Sequence, residues 1–557
     1  MPTPQSSFCR TPREQLRTHA IENQPATLGS IDLWHTDAML RDALGQLAPA
    51  WVSERLATLG DRLGRPEVAV WGEEANRYPP TLRAFDRYGR RLDEVDYHPA
   101  YHSLMREAIA GGWHAVAWEQ EHNGGHQAHL AGLYLLTQAE PGFCCPITMT
   151  HAAMPVLRHL SGAESWRTRL TGREYDPRAV PARCKRTNTF GMAMTEKQGG
   201  SDIRRNTTRA TPVDASGSGR WYRLKGHKWF CSAPMSDAFL TLAQTDDGLS
   251  CFLAPRFTPD DERNAIEIQR LKEKCGNRAN ASAEIEYDGA WAQLVGEPGR
   301  GIAAILDMVQ QTRLDAGMAP AGMMRQALRE AWHHVENREA FGHTLAEQPL
   351  MQRVIADLAI ETEASLWLAL RGARAMDDAA ESAHETALAR LIPALAKFWH
   401  NKRAPAFMAE AMECLGGIGY VEETPLARLY REAPVNSIWE GSGNVICLDV
   451  LRILARHPAS IEALQVELAF CRGAHPAYDV ALNELERSLQ AESPPREADA
   501  RWLTQRMAQM LQASLLIRHA PGVVAETFCA TRLGAPSAIF GILPATAPVE
   551  AILKRLR

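Results

Sequence analysis

A chain of 557 residues suggests three or four structural units and ample material for a large core. Hydrophobic residues make up 45% and charged residues 23%, which excludes a disordered or fibrous chain. A net charge of -5 excludes a protein that binds nucleic acid with its whole surface, so any DNA contact must use a local patch.

The eleven cysteines form no Cys-x-x-Cys pair and no Cys/His ligand spacing. Cys144 and Cys145 are neighbours, which disfavours an ordinary disulfide or zinc site. Buried thiols in a reducing cytoplasm are the expectation. Met1 to His19 is polar without the apolar core of a signal peptide. Pro and Gly interrupt the apolar Gly534 to Pro548 region, so no membrane span is expected. The predicted location is cytoplasmic.

From about Ile31 to His159 the pattern is helical. Met39, Leu40, Leu44, Leu47 and Val52 recur at three-to-four spacing, as do Leu104, Met105, Ile109, Trp113 and Val116. Arg77-Tyr-Pro-Pro80 and Asp86-Arg-Tyr-Gly89 read as turns between helices. Near Phe190 the character changes. Trp221 to Leu224, Ala238 to Leu242, Ser250 to Leu253 and Ala283 to Tyr287 are strand-like runs separated by Gly, Pro, Asn and Asp. Long helices return after Gly301, over Ile302 to Arg338, Met351 to Met376 and Ala387 to Leu415, each with an apolar stripe. Past Ala455, Ile461 to Cys471, Tyr478 to Leu489 and Trp502 to Ile517 read as amphipathic helices, with Glu492-Ser-Pro-Pro-Arg496 as a loop. The predicted fold is therefore mainly α with a central β domain. Its units are a helical domain over 1–185, a β-barrel over 186–295, a helical bundle over 296–455 and a helical extension over 456–557.

One carboxylate stands out. Glu440 directly precedes Gly-Ser-Gly in Ser437-Ile-Trp-Glu440-Gly-Ser-Gly-Asn444. Held between Ile438 and Trp439 it would be partly desolvated, which lifts a carboxyl group toward the working pH and makes it a usable general base. The neighbouring glycines leave room for a flat ligand against the backbone. A solvated glycine turn is the competing reading of these residues alone.

Three further motifs occur in order: Gly191-Met-Ala-Met-Thr195-Glu-Lys-Gln-Gly-Gly-Ser201-Asp202, Gly226-His-Lys-Trp229-Phe-Cys-Ser232, and Asn337-Arg338-Glu-Ala-Phe341-Gly342 with Gln348-Pro-Leu-Met-Gln352. With the Leu415-Gly-Gly-Ile-Gly-Tyr420 turn and the Glu440 segment, they resemble the acyl-CoA dehydrogenase family of flavoproteins over about residues 130 to 455. Cys145-Pro-Ile-Thr-Met-Thr150 and Pro434-Val-Asn-Ser-Ile-Trp-Glu resemble the AidB type within it, flavoproteins associated with the bacterial response to DNA alkylation.

The resemblance implies an FAD cofactor and names its contacts. Glu440 is the base, and its amide with a flavin ribityl hydroxyl would form the oxyanion hole. Met192, Met194, Thr195 and Ser201 would meet the isoalloxazine and pyrophosphate. Trp229, Phe230, Cys231 and Ser232 would cover the ring edge, with the responsible hydroxyl left open because Phe230 and Cys231 replace the family's usual residues. Ile438, Trp439, Gly441, Ser442, Gly443, Asn444 and Leu448 complete the set. Arg338, Phe341, Glu413 and Gly417 would reach a neighbouring subunit's flavin, which implies a homotetramer built as a dimer of dimers. A minority of the family carries its base just before an arginine on an earlier helix. Here that position is Thr312, before Arg313, and threonine cannot serve. Asp315, one step along, either lines the pocket or faces solvent.

Two functions follow from the resemblance. One is dehydrogenation of short or branched acyl-CoA thioesters. The other is weakly sequence-specific binding of duplex DNA in protection from alkylation, with weak dehydrogenation. Between Arg456 and Arg557 acids and bases nearly cancel, with a basic cluster at Lys554-Arg555-Leu-Arg557. Arg452 is a candidate DNA or phosphate contact, with pairing to Asp449 one turn earlier as the plainer reading.

Overall fold

The structure, a computed structural model, describes residues 13–213, 220–489 and 496–556. Helices Ala38–Leu47, Ala50–Leu63 and Pro66–Arg77 lead into a hairpin of β1 (Thr81–Phe85) and β2 (Arg91–Asp96). The helical reading of this region missed the hairpin. Its strands are short and β1 buries no side chain, so no apolar alternation announces them. Its turn is the expected one: the Asp86 carboxylate accepts the Tyr88 and Arg90 backbone N–H groups at 2.8 and 2.9 Å. Helices Pro99–Ala110, Gly125–Ala139 and Cys144–Leu157 complete the first unit.

The central unit is a barrel of β3 (Phe190–Ala193), β4 (Arg209–Pro212), β5 (Trp221–Ser232), β6 (Ala238–Thr245), β7 (Gly248–Pro255), β8 (Ile266–Leu271) and β9 (Ser282–Val295). Neighbours run β6–β4–β5–β9–β7, and β7 pairs back onto β6 to close the ring. Closure removes the exposed edges that an open sheet would leave. β3 is added in parallel to β6 alone, and β8 to β9 alone. The four expected strand runs fall within β5, β6, β7 and β9. The interior is filled by Leu224, Phe239, Phe252, Ile285 and Tyr287.

Three long helices follow, Gly301–Asn337, Pro349–Asp377 and Ala383–Cys414, within a few residues of the predicted spans. Pro349 starts the second, where its missing N–H costs nothing. The Ser382 side chain caps the third by accepting the Glu385 N–H at 3.3 Å. The extension contributes Pro458–Ala469, Pro476–Leu489 and Ala500–His519. The predicted loop at 492–496 lies outside the described residues except for Arg496. Leu503, Met507, Leu511 and Leu515 are buried in the same core as Leu358, Leu366 and Trp367 of the bundle. Arg532 joins Asp357 at 2.6 Å and Arg555 joins Glu363 at 2.8 Å, tying the chain's end to the same helix. No helix among the described residues is long and apolar enough to cross a membrane.

Candidate active site

The catalytic-base candidate sits on a tight turn between a short 3-10 segment, Ala433–Ser437, and the helix Gly443–Arg456. Glu440 has φ 56° and Gly441 φ 101°, two consecutive residues in the left-handed region. Glycine adopts this region freely, but a glutamate there must be held by its surroundings. The holder on the side-chain side is Thr312, almost fully buried on the Gly301–Asn337 helix, whose hydroxyl donates to Glu440 Oε2 at 2.7 Å. Thr312 is thus no base, but its hydroxyl orients the carboxylate of the candidate base. Arg313, the next residue, is ion-paired with Asp449 on the Gly443–Arg456 helix. On the other flank the Lys397 ammonium donates to Asn436 O at 3.2 Å and to Gly441 O at 2.7 Å. The expected apolar sleeve is not formed as the sequence implied: Ile438 stands 66% exposed, and Glu440 is only half-buried.

Asp315 neither lines the pocket nor faces solvent. It is buried and accepts from His129 Nε2 at 3.0 and 3.1 Å, while His129 Nδ1 donates to Trp113 O at 2.6 Å. Burial lowers His129, but the Asp315 charge outweighs it and holds the ring above the ordinary histidine range. His151 stacks on His129 with centroids 3.6 Å apart, and burial with its charged neighbour drives it well below that range. The His129, His151 and Asp315 ligand atoms lie within 4.8 Å of one another. Rings stacked at 15° cannot both point an in-plane lone pair at one ion, so the cluster reads as a structural ion pair under the site.

The facing wall comes from the barrel. β3 pairs only with β6, and its residues are buried except for half-buried Met192, with the Phe190 N–H already donating to Thr150 Oγ1 at 3.1 Å. Trp229 N–H donates to Thr195 O at 2.8 Å, joining the loop after β3 to β5. A Cβ on Gly200 would meet Thr195 Oγ1 at 2.4 Å, so this loop closes tightly only with glycine. Pairing of β5 with β9 is irregular between Lys228 and Cys231, and the bulge turns Trp229 and Phe230 outward. Phe230 is 48% exposed, and the Lys272 ammonium lies 3.1 Å from the Trp229 ring centroid. Met192, Met194, Thr195 and Ser232 are half-buried and Ser201 is exposed. Cys231 is different. Its side chain is fully buried in the barrel interior, so only its backbone can meet a ligand. Of the four residues expected at this edge Ser232 alone carries a hydroxyl, 3.3 Å from Ser282 Oγ. Hydroxyls at Thr195 and Ser232, an outward Phe230 ring and glycines that let a ligand approach the backbone suit a flat, heteroatom-edged group such as an isoalloxazine.

Cys145 is the site neighbour whose place only the structure shows. Burial pushes its thiol up to about 12, Lys274 pulls it back, Glu440 and Glu432 add to the rise, and Ser232 hydrogen-bonds to it. The start of the Cys144–Leu157 helix, the end of β5 and the Glu440 turn therefore converge. The second set of predicted contacts lies elsewhere. Thr312 and Arg338 are separated by 26 positions along and just past one helix, about 39 Å at 1.5 Å per residue. Phe341 has φ 57° and is 97% exposed, and Glu413 and Gly417 are exposed at the far end of the Ala383–Cys414 helix. Within one subunit these four residues do not join Glu440. Arg452 is ion-paired with Asp449 and half exposed.

A helical unit, a closed barrel and a second helical unit, with a carboxylate on the turn where they meet, define the acyl-CoA dehydrogenase class of fold. Residues 23–177 match the family model for the adaptive response protein AidB N-terminal domain. Residues 191–290 match the acyl-CoA dehydrogenase middle domain and 299–455 its C-terminal domain. The chain is 44% identical over 520 residues to the putative acyl-CoA dehydrogenase AidB of Escherichia coli (strain K12), covering 93% of this chain and 95% of that one. It is 32% identical to acyl-CoA dehydrogenase family member 11 of Caenorhabditis elegans, covering 87% and 83%. The crystal structure of Caenorhabditis elegans ACDH-11 in complex with C11-CoA superposes with a TM-score of 0.82 at 28% identity, covering 95% and 93%. The chain belongs to the acyl-CoA dehydrogenase family, in its AidB-type branch.

Proposed function

We propose that this protein is an FAD-dependent dehydrogenase of acyl-CoA thioesters in which Glu440 is the base. The pairing of Thr312 with the Glu440 carboxylate carries the reading. One carboxylate oxygen is held by the Thr312 hydroxyl, which would leave the other to a substrate. The Thr312 hydroxyl has alternative acceptors at Met308 O and Val309 O, 3.2 and 3.1 Å away. It can turn to them once Glu440 has taken a proton, so the same side chain suits both charge states of the base. Bound FAD supplies the hydride acceptor that no amino-acid side chain offers. Met192, Met194, Thr195, Trp229, Phe230 and Ser232 would hold its ring system, and Ser201 with Gly441 to Asn444 its phosphate chain. Arg338, Phe341, Glu413 and Gly417 stand too far along their helices to serve their own subunit's site, which supports a homotetramer whose members complete each other's flavin sites.

Anaerobic mixing of the flavin-loaded protein with short, branched and medium-length acyl-CoAs tests the reading. The expected result is loss of the oxidised flavin absorbance within seconds for at least one thioester. An oxidised band that persists with every chain length overturns it.

A second reading is protection from DNA alkylation, supported by the match of residues 23–177 to a model named for the adaptive response. Much of the basic charge in the extension is already neutralised: Arg506 pairs with Glu484, Arg518 with Glu467 and Arg496 with Asp499. DNA would then meet a few half-exposed cations such as Arg452, whose partner Asp449 is shared with Arg313, through phosphates rather than bases. Binding of a fluorescent duplex, followed by anisotropy, is expected to fall steeply between 50 and 200 mM salt, by roughly 10-fold or more for a few phosphate contacts. Binding that ignores salt, or that prefers one sequence strongly, counts against this mode.

A further inference from the structure

The Glu440 turn is a short loop with a neck. Asn436 and Gly441 stand at its two ends, and the residues between them include the base. Lys397, on the neighbouring Ala383–Cys414 helix, bridges that neck by donating to both carbonyls. Its side chain is 1% exposed. A fully buried lysine is rare, and when one occurs its donors have a definite task. Here both acceptors belong to the backbone of the turn, and neither is a carboxylate, so the amine serves the shape of the loop rather than a salt bridge. The loop requires such a restraint, because Glu440 occupies a region that residues with a Cβ leave when free to do so.

We propose that Lys397 is a positioning residue, a clamp whose two hydrogen bonds close the neck of the Asn436–Gly441 loop and hold Glu440 in the left-handed conformation that aims its carboxylate at the substrate. The proposal rests on the reading of Glu440 as the base, but the clamp itself is a statement about the loop.

The surroundings support it. Burial pushes the Lys397 amine down to about 7, with Glu440 pulling it up and Arg313 and Lys402 pushing it further down. The charged groups facing it are these three. Arg313 is occupied by Asp449, and Lys402 donates to Ser437 Oγ at 2.7 Å on the same loop. Both protonation states of an amine carry at least two N–H donors, so the clamp persists through neutrality. Methionine fills the same volume without donors. Glutamine keeps a donor on a shorter arm.

The experiment compares the flavin-loaded wild type with Lys397→Met, and with Lys397→Gln should the first variant not accumulate as folded protein. Hydrogen–deuterium exchange by mass spectrometry is read over peptides spanning 436–444 and over the remainder of the bundle. Expected is about 10-fold faster exchange confined to 436–444, the signature of a local opening. In parallel, anaerobic flavin reduction at saturating acyl-CoA is expected to slow on the order of 10- to 100-fold, the scale of misplacing a reacting group by about an ångström. Thioester affinity should change by less than about threefold, since the clamp touches the base and not the binding surface. In Lys397→Ala, ethylammonium is expected to restore part of the reduction rate by refilling the niche. Unchanged exchange over 436–444 overturns the clamp. A loss of protection spread over the whole bundle, or a fall in affinity equal to the fall in rate, also overturns it, because either marks a merely structural lysine. If no acyl-CoA reduces even the wild type, the dehydrogenase reading fails while the exchange measurement still decides the clamp.

Discussion

Glu440→Gln is expected to bind flavin and acyl-CoA like the wild type and to lose flavin reduction by roughly 10²- to 10⁴-fold, the range of a positioned general base. Glutamine has the same shape and can still accept from the Thr312 hydroxyl at Oε2's place, so the turn should survive. What it cannot do is take a proton. Stopped-flow reduction at saturating substrate isolates that step from binding. A variant that reduces its flavin within a few-fold of wild type would remove Glu440 from the mechanism. Neither alternative offered on the Gly301–Asn337 helix can take over, since Thr312 is not basic and Asp315 is locked against His129.

The second large effect concerns stability. Lys228 on β5 and Glu196 in the loop after β3 form an ion pair at 2.9 Å with both side chains fully buried. Glu196 also accepts the Thr207 N–H at 2.6 Å, the Thr207 hydroxyl at 2.9 Å and the Thr208 N–H at 3.1 Å, and Lys228 also donates to Leu242 O at 2.7 Å. Burial raises the Glu196 carboxyl, but the Lys228 charge and these donors outweigh it and hold the group far below the usual carboxylate range. Burial lowers Lys228, with Glu196 opposing. Glu196→Gln leaves an ammonium uncompensated in the barrel and is expected to cost about 3–5 kcal/mol near neutral pH. Lys228 then titrates lower still in the folded state, while its unfolded value stays near 10.4. Between those two values the unfolded chain holds more protons, so the variant's stability should recover as pH rises toward 10. Urea denaturation at pH 7 and pH 9.5, followed by tryptophan fluorescence, reads both effects. The pair Glu196→Leu with Lys228→Met should recover most of the loss, since two apolar groups replace two charges. A small, pH-independent change in Glu196→Gln would show that water reaches the pair.

These two glutamates show how differently a motif can be read. The Thr195-Glu-Lys-Gln-Gly-Gly-Ser run is legible as a site because glycines and hydroxyls cluster there. Nothing in it says that Glu196 turns inward to Lys228 and anchors the loop to the sheet. Cys231 follows the same rule. A strand's alternation sends neighbouring side chains to opposite faces, and which face is the barrel interior depends on the bulge at Lys228 to Cys231. The β1–β2 hairpin is hard to read locally because its short strands bury little and part of its polar bonding goes to the barrel, with Asp93 Oδ1 accepting the Ile268 N–H at 2.8 Å.

By itself the sequence determined the long helices, the strand-rich centre and the family, and it singled out a glycine-flanked carboxylate as the candidate base. Each of these is written in local periodicity, in turn chemistry or in runs of adjacent residues, and neighbours along a chain stay neighbours in space. Tertiary structure alone decided which side chains meet Glu440. Thr312 stands 128 residues from it, and the His129 partner of Asp315 stands 186 residues away. Lys397 reaches back from another helix to the neck of the turn. Such pairings depend on how helices rotate and pack against one another, which burial of whole apolar faces fixes and no local pattern encodes. The same packing stretches Arg338 and Phe341 far from Glu440, because a single rigid helix separates them by its length.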